Sequence, residues 1–346
     1  MKDSRKWFFF FIFGLIILLL IFFLKYYLKG FSDQSSNLNN QSAISEYALS
    51  TSTQYTSGMV HYKIGDPNAA QGVGLNGVRK ENDDVMTFPT EKANEVYAYL
   101  KEKYYSHNDF LKEQFPDLNL TTQIEEDIFT DDYFDTPNLD LLNKENLIRH
   151  RSRNNLTNIE DRKNGRELVQ MKLSHDVNNA EVRDELKWHV ASTYKKGQNS
   201  LEEISPLIRI IQTKERADFE RATEQLDISP YSLKKILTLF QHRKRLYVNW
   251  DGLGIITFSV DDAIVRRLWA RVEFVDMEQQ LSEIAYTQAD EATRIKEVAI
   301  RQTIIKDLKD HFPFIQVSKS PKYNTVFELL EKNIPFLRTL IRWNIL

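Results

Sequence analysis

The 346-residue sequence contains no cysteine. That excludes a disulfide framework, a thiolate nucleophile and a zinc–thiolate centre, and it leaves the redox compartment open. A basic excess is missing too: 46 Lys and Arg stand against 49 Asp and Glu, a formal net charge of −3. Domains that grip nucleic acid by bulk electrostatics carry a positive surplus, so no specific nucleic-acid partner is expected and any anion site has to be built locally. Neither a P-loop nor a nucleophile elbow occurs, and the seven histidines show no H-E-x-x-H spacing. The single G-x-G-x-x-G match, at Gly72, Gly74 and Gly77, follows no strand pattern and leads into the polar VRKENDD. It is not read as a dinucleotide fingerprint.

What the chain does have is 42% hydrophobic and 12% aromatic residues, enough for a sizeable core. Residues 7–24, WFFFFIFGLIILLLIFFL, are uncharged and long enough to cross a hydrocarbon layer as one helix. No A-x-A cleavage site follows, and Tyr26 and Tyr27 suit an interface. The expectation is therefore a single-pass membrane anchor; Lys2, Arg5 and Lys6 before it lean toward a cytoplasmic N-terminus. Residues 25–77 read as a flexible tether, rich in Ser, Asn, Gln and Thr over 31–58.

Beyond the tether, residues 89–106 have helical spacing of apolar residues after Thr90. Period-two or β-rich runs follow at 128–134, 146–153, 167–174, 181–190, 243–250, 254–261 and 269–276. Asn164-Gly165 predicts a hairpin that pairs the second and third of these runs. Helical segments are expected over about 201–240 and 277–311, and from about 324 to the end with a bend near Pro335.

In NLIRHRSRN, Arg149, Arg151 and Arg153 stand at alternate positions and share one face of a strand. Alternate residues of the later runs continue the pattern with Lys172, then Arg183, Glu185 and Lys187, then Arg243 and Arg245, while Asp261 and Glu273 add carboxylates. One charged strand face is usually wet. Repetition over many strands instead asks for an enclosed anion, and an antiparallel barrel with a charged interior supplies the enclosure. Guanidinium and ammonium groups bind phosphate oxygens, and carboxylates hold Mg²⁺ or Mn²⁺; phosphoryl transfer is the chemistry implied.

The segment DDYFDTPNLDLLNKENLIRHRSRN resembles the triphosphate tunnel metalloenzymes, in which a Tyr-Phe-Asp-Thr-Pro stretch precedes a Leu-Arg-x-Arg strand. That superfamily includes the CYTH proteins and the VTC-type polyphosphate polymerases. HRKRLYVNWDGLGIITFSVDD is similar to the VTC pattern. The resemblance implies an α+β fold: a closed eight-stranded antiparallel barrel over residues 78–285, with C-terminal helices over 286–346 packed on it. It implies phosphate-binding roles for Arg149, Arg151, Lys172, Arg183, Lys187, Arg243 and Arg245, with catalysis by Lys172, Arg183 and Glu185. Mg²⁺ or Mn²⁺ is expected on Glu81, Asp83, Asp261 and Glu273. The family's opening Glu-x-Glu-x-Lys is altered here, with Val85 where lysine is expected, unless TQIEEDIF or VHYKI forms the first strand. Lys187 stands where a further glutamate is usual, and Val275 leaves the last strand with one acid of two. Three functions follow: metal-dependent hydrolysis of inorganic or organic triphosphates, VTC-like polyphosphate synthesis, or non-catalytic polyanion binding.

Overall fold

The computed structural model describes residues 79–107, 109–153, 167–174, 182–191, 207–282, 290–318 and 320–345; at 79–84, 153 and 182–184 it describes the backbone only. The expected anchor and tether lie outside these residues. Among the described residues no helix is long and apolar enough to cross a membrane.

The strands are β1 (Arg79–Thr87), β2 (Leu120–Asp135), β3 (Leu147–Arg153), β4 (Leu168–Ser174), β5 (Val182–His189), β6 (Lys234–Trp250), β7 (Leu253–Arg267), β8 (Ala270–Leu281) and β9 (Gln316–Ser318). The α-helices are α1 (Ala93–Leu100), α2 (Asp109–Gln114), α3 (Asp140–Asn143), α4 (Arg216–Glu224), α5 (Glu291–His311), α6 (Lys322–Asn333) and α7 (Leu337–Arg342). All strands join one antiparallel sheet in the order β5-β4-β3-β2-β6-β7-β8-β1-β9, and β5 also pairs with β1 from Arg79↔Glu185 to Asn82↔Val182. The α+β class and the flanking helices are as expected. The sheet has nine strands, not eight, because the C-terminal region adds β9 beside β1.

Three boundaries differ from the expected ones. β6 starts at Lys234, inside the expected helical stretch 201–240, and β8 runs to Leu281, inside the helix expected from 277. β2 begins at Leu120, eight positions before the run read as a strand. For β8 the cause is burial on both faces. In β8, Val272 and Phe274 pack on one face, Val275 and Met277 on the other, so the alternation that marks a half-buried strand is lost.

The two faces do different work. One carries two apolar clusters: the first packs α1 and α5 against Leu246, Val248, Phe258 and Met277, and the second packs α4 against Ile148, Val169, Met171 and Trp188. α5 fits because Ile300, Ile304, Ile305 and Leu308 recur at helical spacing, and Asp290 caps its start by accepting from Thr293 N–H at 2.7 Å. The opposite face is apolar only at one end, where Tyr133, Leu237, Leu239, Ala263, Val265, Val272 and Phe274 meet Tyr323, Val326, Phe327 and Leu330 of α6. The rest of that face, among the described residues, is charged and polar, with Phe129 set among the charges.

Candidate functional site

Period two and the strand register assemble the charged face. In β3, Arg149 and Arg151 point to it, while Ile148 packs in the apolar cluster on the other side. Asp131 lies opposite Arg151 on the neighbouring β2. Its carboxylate accepts from Arg151 Nε at 2.8 Å and Nη2 at 2.7 Å, from Arg149 Nη1 at 3.1 Å, and from Gln241 Nε2 of β6 at 2.7 Å. Burial works against its charge, but the two guanidiniums prevail and hold the carboxyl well below the usual range. Phe129, also on β2, lies under both Arg151 and Arg243, with guanidinium carbons 4.1 and 5.3 Å from the ring centre.

The network continues in both directions along the sheet. Arg149 Nε donates to Gln170 of β4 at 2.9 Å, and Gln170 Nε2 donates to Glu185 of β5 at 3.3 Å. Glu185 also pairs with Lys187 at 2.8 Å, two residues along the same strand. Lys172 is buried opposite Glu185 in the β4–β5 register. On the other side, Arg243 of β6 faces Asp261 of β7, donating through Nε at 2.5 Å and through Nη2, and it reaches Glu278 of β8 at 2.9 Å. Arg245 pairs with Glu125 at 3.3 Å near the exposed edge of the network.

Charges four strands apart in the sheet sense one another. Glu278 on β8 is held far below its usual value; burial opposes this, and Lys322, Arg243, Lys172 and Arg149 overcome it. Arg149 on β3 is in turn kept charged by Asp131 and Glu278 against the cost of burial. Arg151 is the exception: burial and the nearby Arg149 lower it more than Asp131 raises it, and Arg243 adds to the strain. This corner of the face carries more positive charge than its carboxylate answers.

One end of the network is filled by a helix. Asp135, at the end of β2, accepts backbone N–H groups of Thr136, Leu141 and Leu142 at 2.7–2.9 Å, tying down α3 and the turn before β3. Tyr323 Oη donates to the same carboxylate at 3.2 Å, and its ring stacks on Tyr133 at 5.0 Å. Those contacts fix the start of α6. They leave the preceding side chain, Lys322, among three carboxylates: Nζ contacts Asp261 and lies 3.0 Å from Asp276 and 3.2 Å from Glu278.

The expected residues are thus distributed unevenly. Arg149, Arg151, Lys172, Glu185, Lys187, Arg243 and Asp261 are brought together, with Arg245 at the edge. Glu273 is not with them. It sits on the other face of β8, half-exposed, paired with Arg271 at 3.0 Å, because it is three residues from Asp276 and an odd offset reverses the side of a strand. The acids that do face the network are Asp276 and Glu278, one alternation further along in VEFVDMEQ. The side chains of Glu81, Asp83, Arg153 and Arg183 lie outside those described; Glu81 and Asp83 belong to β1, with Glu81 opposite Arg183 in the β1–β5 register. His150 and His242 lie away from the network, beside Glu167 and Glu126 respectively, as the alternation requires. Sequence reading missed Asp131, Phe129, Gln170, Gln241 and Lys322. Asp131 was legible, being two residues before Tyr133 in TDDYFD; Lys322 was not, since its helix reaches the site only through tertiary packing.

The same geometry tests the expected Mg²⁺ or Mn²⁺. Asp261, Asp276 and Glu278 offer the hard oxygen donors such an ion needs. The space between them is taken by the Lys322 ammonium, and Arg243 holds two of the three. Among the described residues no group of three His, Asp or Glu side chains is arranged to hold a metal ion. The residues as placed do not fit the ion.

No protein-family model matches the chain, and no curated protein does. Solved structures similar to it include a candidate adenylate cyclase from Bacillus halodurans, 14% identical, covering 66% of this chain and 91% of that one at a TM-score of 0.38. A Hippeastrum adenylyl cyclase candidate described with a dominant triphosphatase activity is 12% identical, covering 74% and 98% at 0.41. The S. pombe RNA triphosphatase is 9% identical, covering 75% and 97% at 0.33.

Proposed function

We propose that the charged face binds the phosphate chain of an inorganic or organic triphosphate and hydrolyses it, working as the inner wall of a tunnel. The observation that carries this reading is the crowding of three buried guanidiniums: Arg151 and Arg243 lie over Phe129, Arg149 and Arg151 both pair with Asp131, and Arg151 is left under-compensated. A chain of phosphates supplies the missing negative charge, and the planar guanidinium donors match its oxygens. The pairing of β1 with both β5 and β8, and the mutual influence of Arg149 and Glu278, support an enclosed site. Lys172 and Lys187 extend the cationic surface along β4 and β5. With little covalent work required, charge stabilisation and positioning by these groups would carry the hydrolysis. The expected anchor at 7–24 would hold the domain at a membrane.

A second reading, non-catalytic binding of a polyanion, is favoured by one observation: Asp131 already occupies Arg149 and Arg151, so a ligand must share or displace it. Nothing in the described residues favours polyphosphate synthesis. One experiment separates the two readings. Tripolyphosphate is titrated by calorimetry into the full chain, and orthophosphate release is assayed with Mg²⁺, with Mn²⁺ and with chelator. Binding with release supports hydrolysis; binding without release selects the second reading. Arg151→Ala should weaken binding at least tenfold while keeping the wild-type circular dichroism, and unaltered affinity would refute both.

A further inference from the structure

We infer that Lys322 is a resident cation that stands where a divalent metal would otherwise be held, so that the acidic end of the site is closed to Mg²⁺ and Mn²⁺ until the ammonium is removed. The carboxylates of Asp261, Asp276 and Glu278 converge from two adjacent strands, β7 and β8, and each lies within ion-pair distance of one ammonium nitrogen. Carboxylate oxygens are the donor type a hard divalent ion uses, with water completing its coordination. Here the cation is covalently part of the chain, and it arrives with the helix that closes this end of the face.

The placement of that nitrogen is over-determined. Pro321 starts α6 with its fixed backbone angle, Tyr323 is locked by Asp135 and by stacking on Tyr133, and Val326, Phe327 and Leu330 sit in the apolar cluster below. Lys322 Nζ also donates to Gln241 at 3.3 Å. Gln241 donates in turn to Asp131, so the ammonium is linked to the carboxylate that organises Arg149 and Arg151. The hydrogen-bond and ion-pair partners of the nitrogen are all acceptors, Arg243 is the neighbouring cation and shares Asp261 and Glu278 with it, and Lys322 is 94% shielded from solvent. A divalent ion entering this cluster would face a like charge at the centre of its own coordination sphere. It binds only if the ammonium leaves, and the packing of α6 opposes that.

The inference does not depend on the proposed substrate, because metal binding is measured without any phosphate. The full chain is titrated with Mn²⁺ and followed by calorimetry and by loss of the free Mn²⁺ electron paramagnetic resonance signal. The wild type should bind no Mn²⁺ at this site at millimolar concentration. Lys322→Met, which keeps the length of the side chain and removes its charge, should take up one equivalent, and adding Glu278→Gln to that variant should abolish the uptake. Lys322→Arg, which keeps a cation, should behave as the wild type. If Lys322→Met unfolds alone, Mn²⁺ should restore its cooperative melt. The inference is overturned if the wild type binds Mn²⁺ and loses it on Glu278→Gln. It is equally overturned if folded Lys322→Met takes up none, or if unfolded Lys322→Met is not rescued.

Discussion

Replacing Asp131 by asparagine removes one negative charge from beneath two buried guanidiniums and keeps the side chain's shape. In the wild type that carboxylate takes three hydrogen bonds from Arg149 and Arg151 and a fourth from Gln241. Deleting one member of a buried ion pair costs about 3–5 kcal/mol, since the remaining charge stays desolvated without compensation. For a domain of this size a loss of 1 kcal/mol lowers Tm by about 2–4 °C, so Asp131→Asn should melt about 6–20 °C below the wild type. The same substitution frees the guanidinium donors for an anion. Tripolyphosphate should therefore raise the Tm of Asp131→Asn by more degrees than it raises that of the wild type, because the ligand no longer competes with a carboxylate. Differential scanning calorimetry at matched ionic strength reads both effects. A destabilisation below about 1 kcal/mol would refute the claim that Asp131 compensates these arginines. Equal ligand-induced shifts in the two proteins would refute the claim that the polyanion uses them.

Two more outcomes follow from the same geometry. Glu273→Gln should leave stability within about 0.5 kcal/mol of the wild type and leave tripolyphosphate affinity unchanged, since an exposed pair with Arg271 contributes little; a tenfold loss of affinity would place Glu273 in the site after all. Burial raises Asp276 to about 8, with Asp261 and Glu278 adding to the effect and Lys322 opposing it. A carboxyl whose folded value is raised favours folding while protonated, so this contribution is complete below its unfolded value of about 4 and is lost as pH rises toward 8. Urea midpoints should fall across that window in the wild type and fall less in Asp276→Asn; parallel profiles would exclude the assignment.

How much of this was legible beforehand differs from element to element. Arg149 and Arg151 were readable because they stand two apart in β3, with Ile148 in the apolar cluster on the opposite side, so a period of two shows directly which residues share a face. Lys172, Glu185, Lys187 and Arg243 follow by the same rule. Glu273 misled because β8 is buried on both faces near its middle, which removes the alternation that would have put Asp276 and Glu278 on the charged side. The extra residues of β6 were hidden because Ile236 and Leu237 are adjacent and both buried, so KKILTLFQ shows no clean period of two.

The sequence by itself determined the alternating cations, the antiparallel pairing of β3 with β4 and the absence of thiol chemistry, while the Asn164-Gly165 turn lies outside the described residues. These are local properties, set by a period of two and by side-chain type. Only the tertiary structure decided which charges neutralise which. Asp131 meets Arg151 through the β2–β3 register, Glu278 influences Arg149 from four strands away, and Lys322 reaches Asp261 from 61 positions further along the chain. Coulomb interactions inside a low-dielectric interior depend on distance in space, which the order of residues does not specify. The packing of α6 is what brings the Lys322 ammonium among Asp261, Asp276 and Glu278.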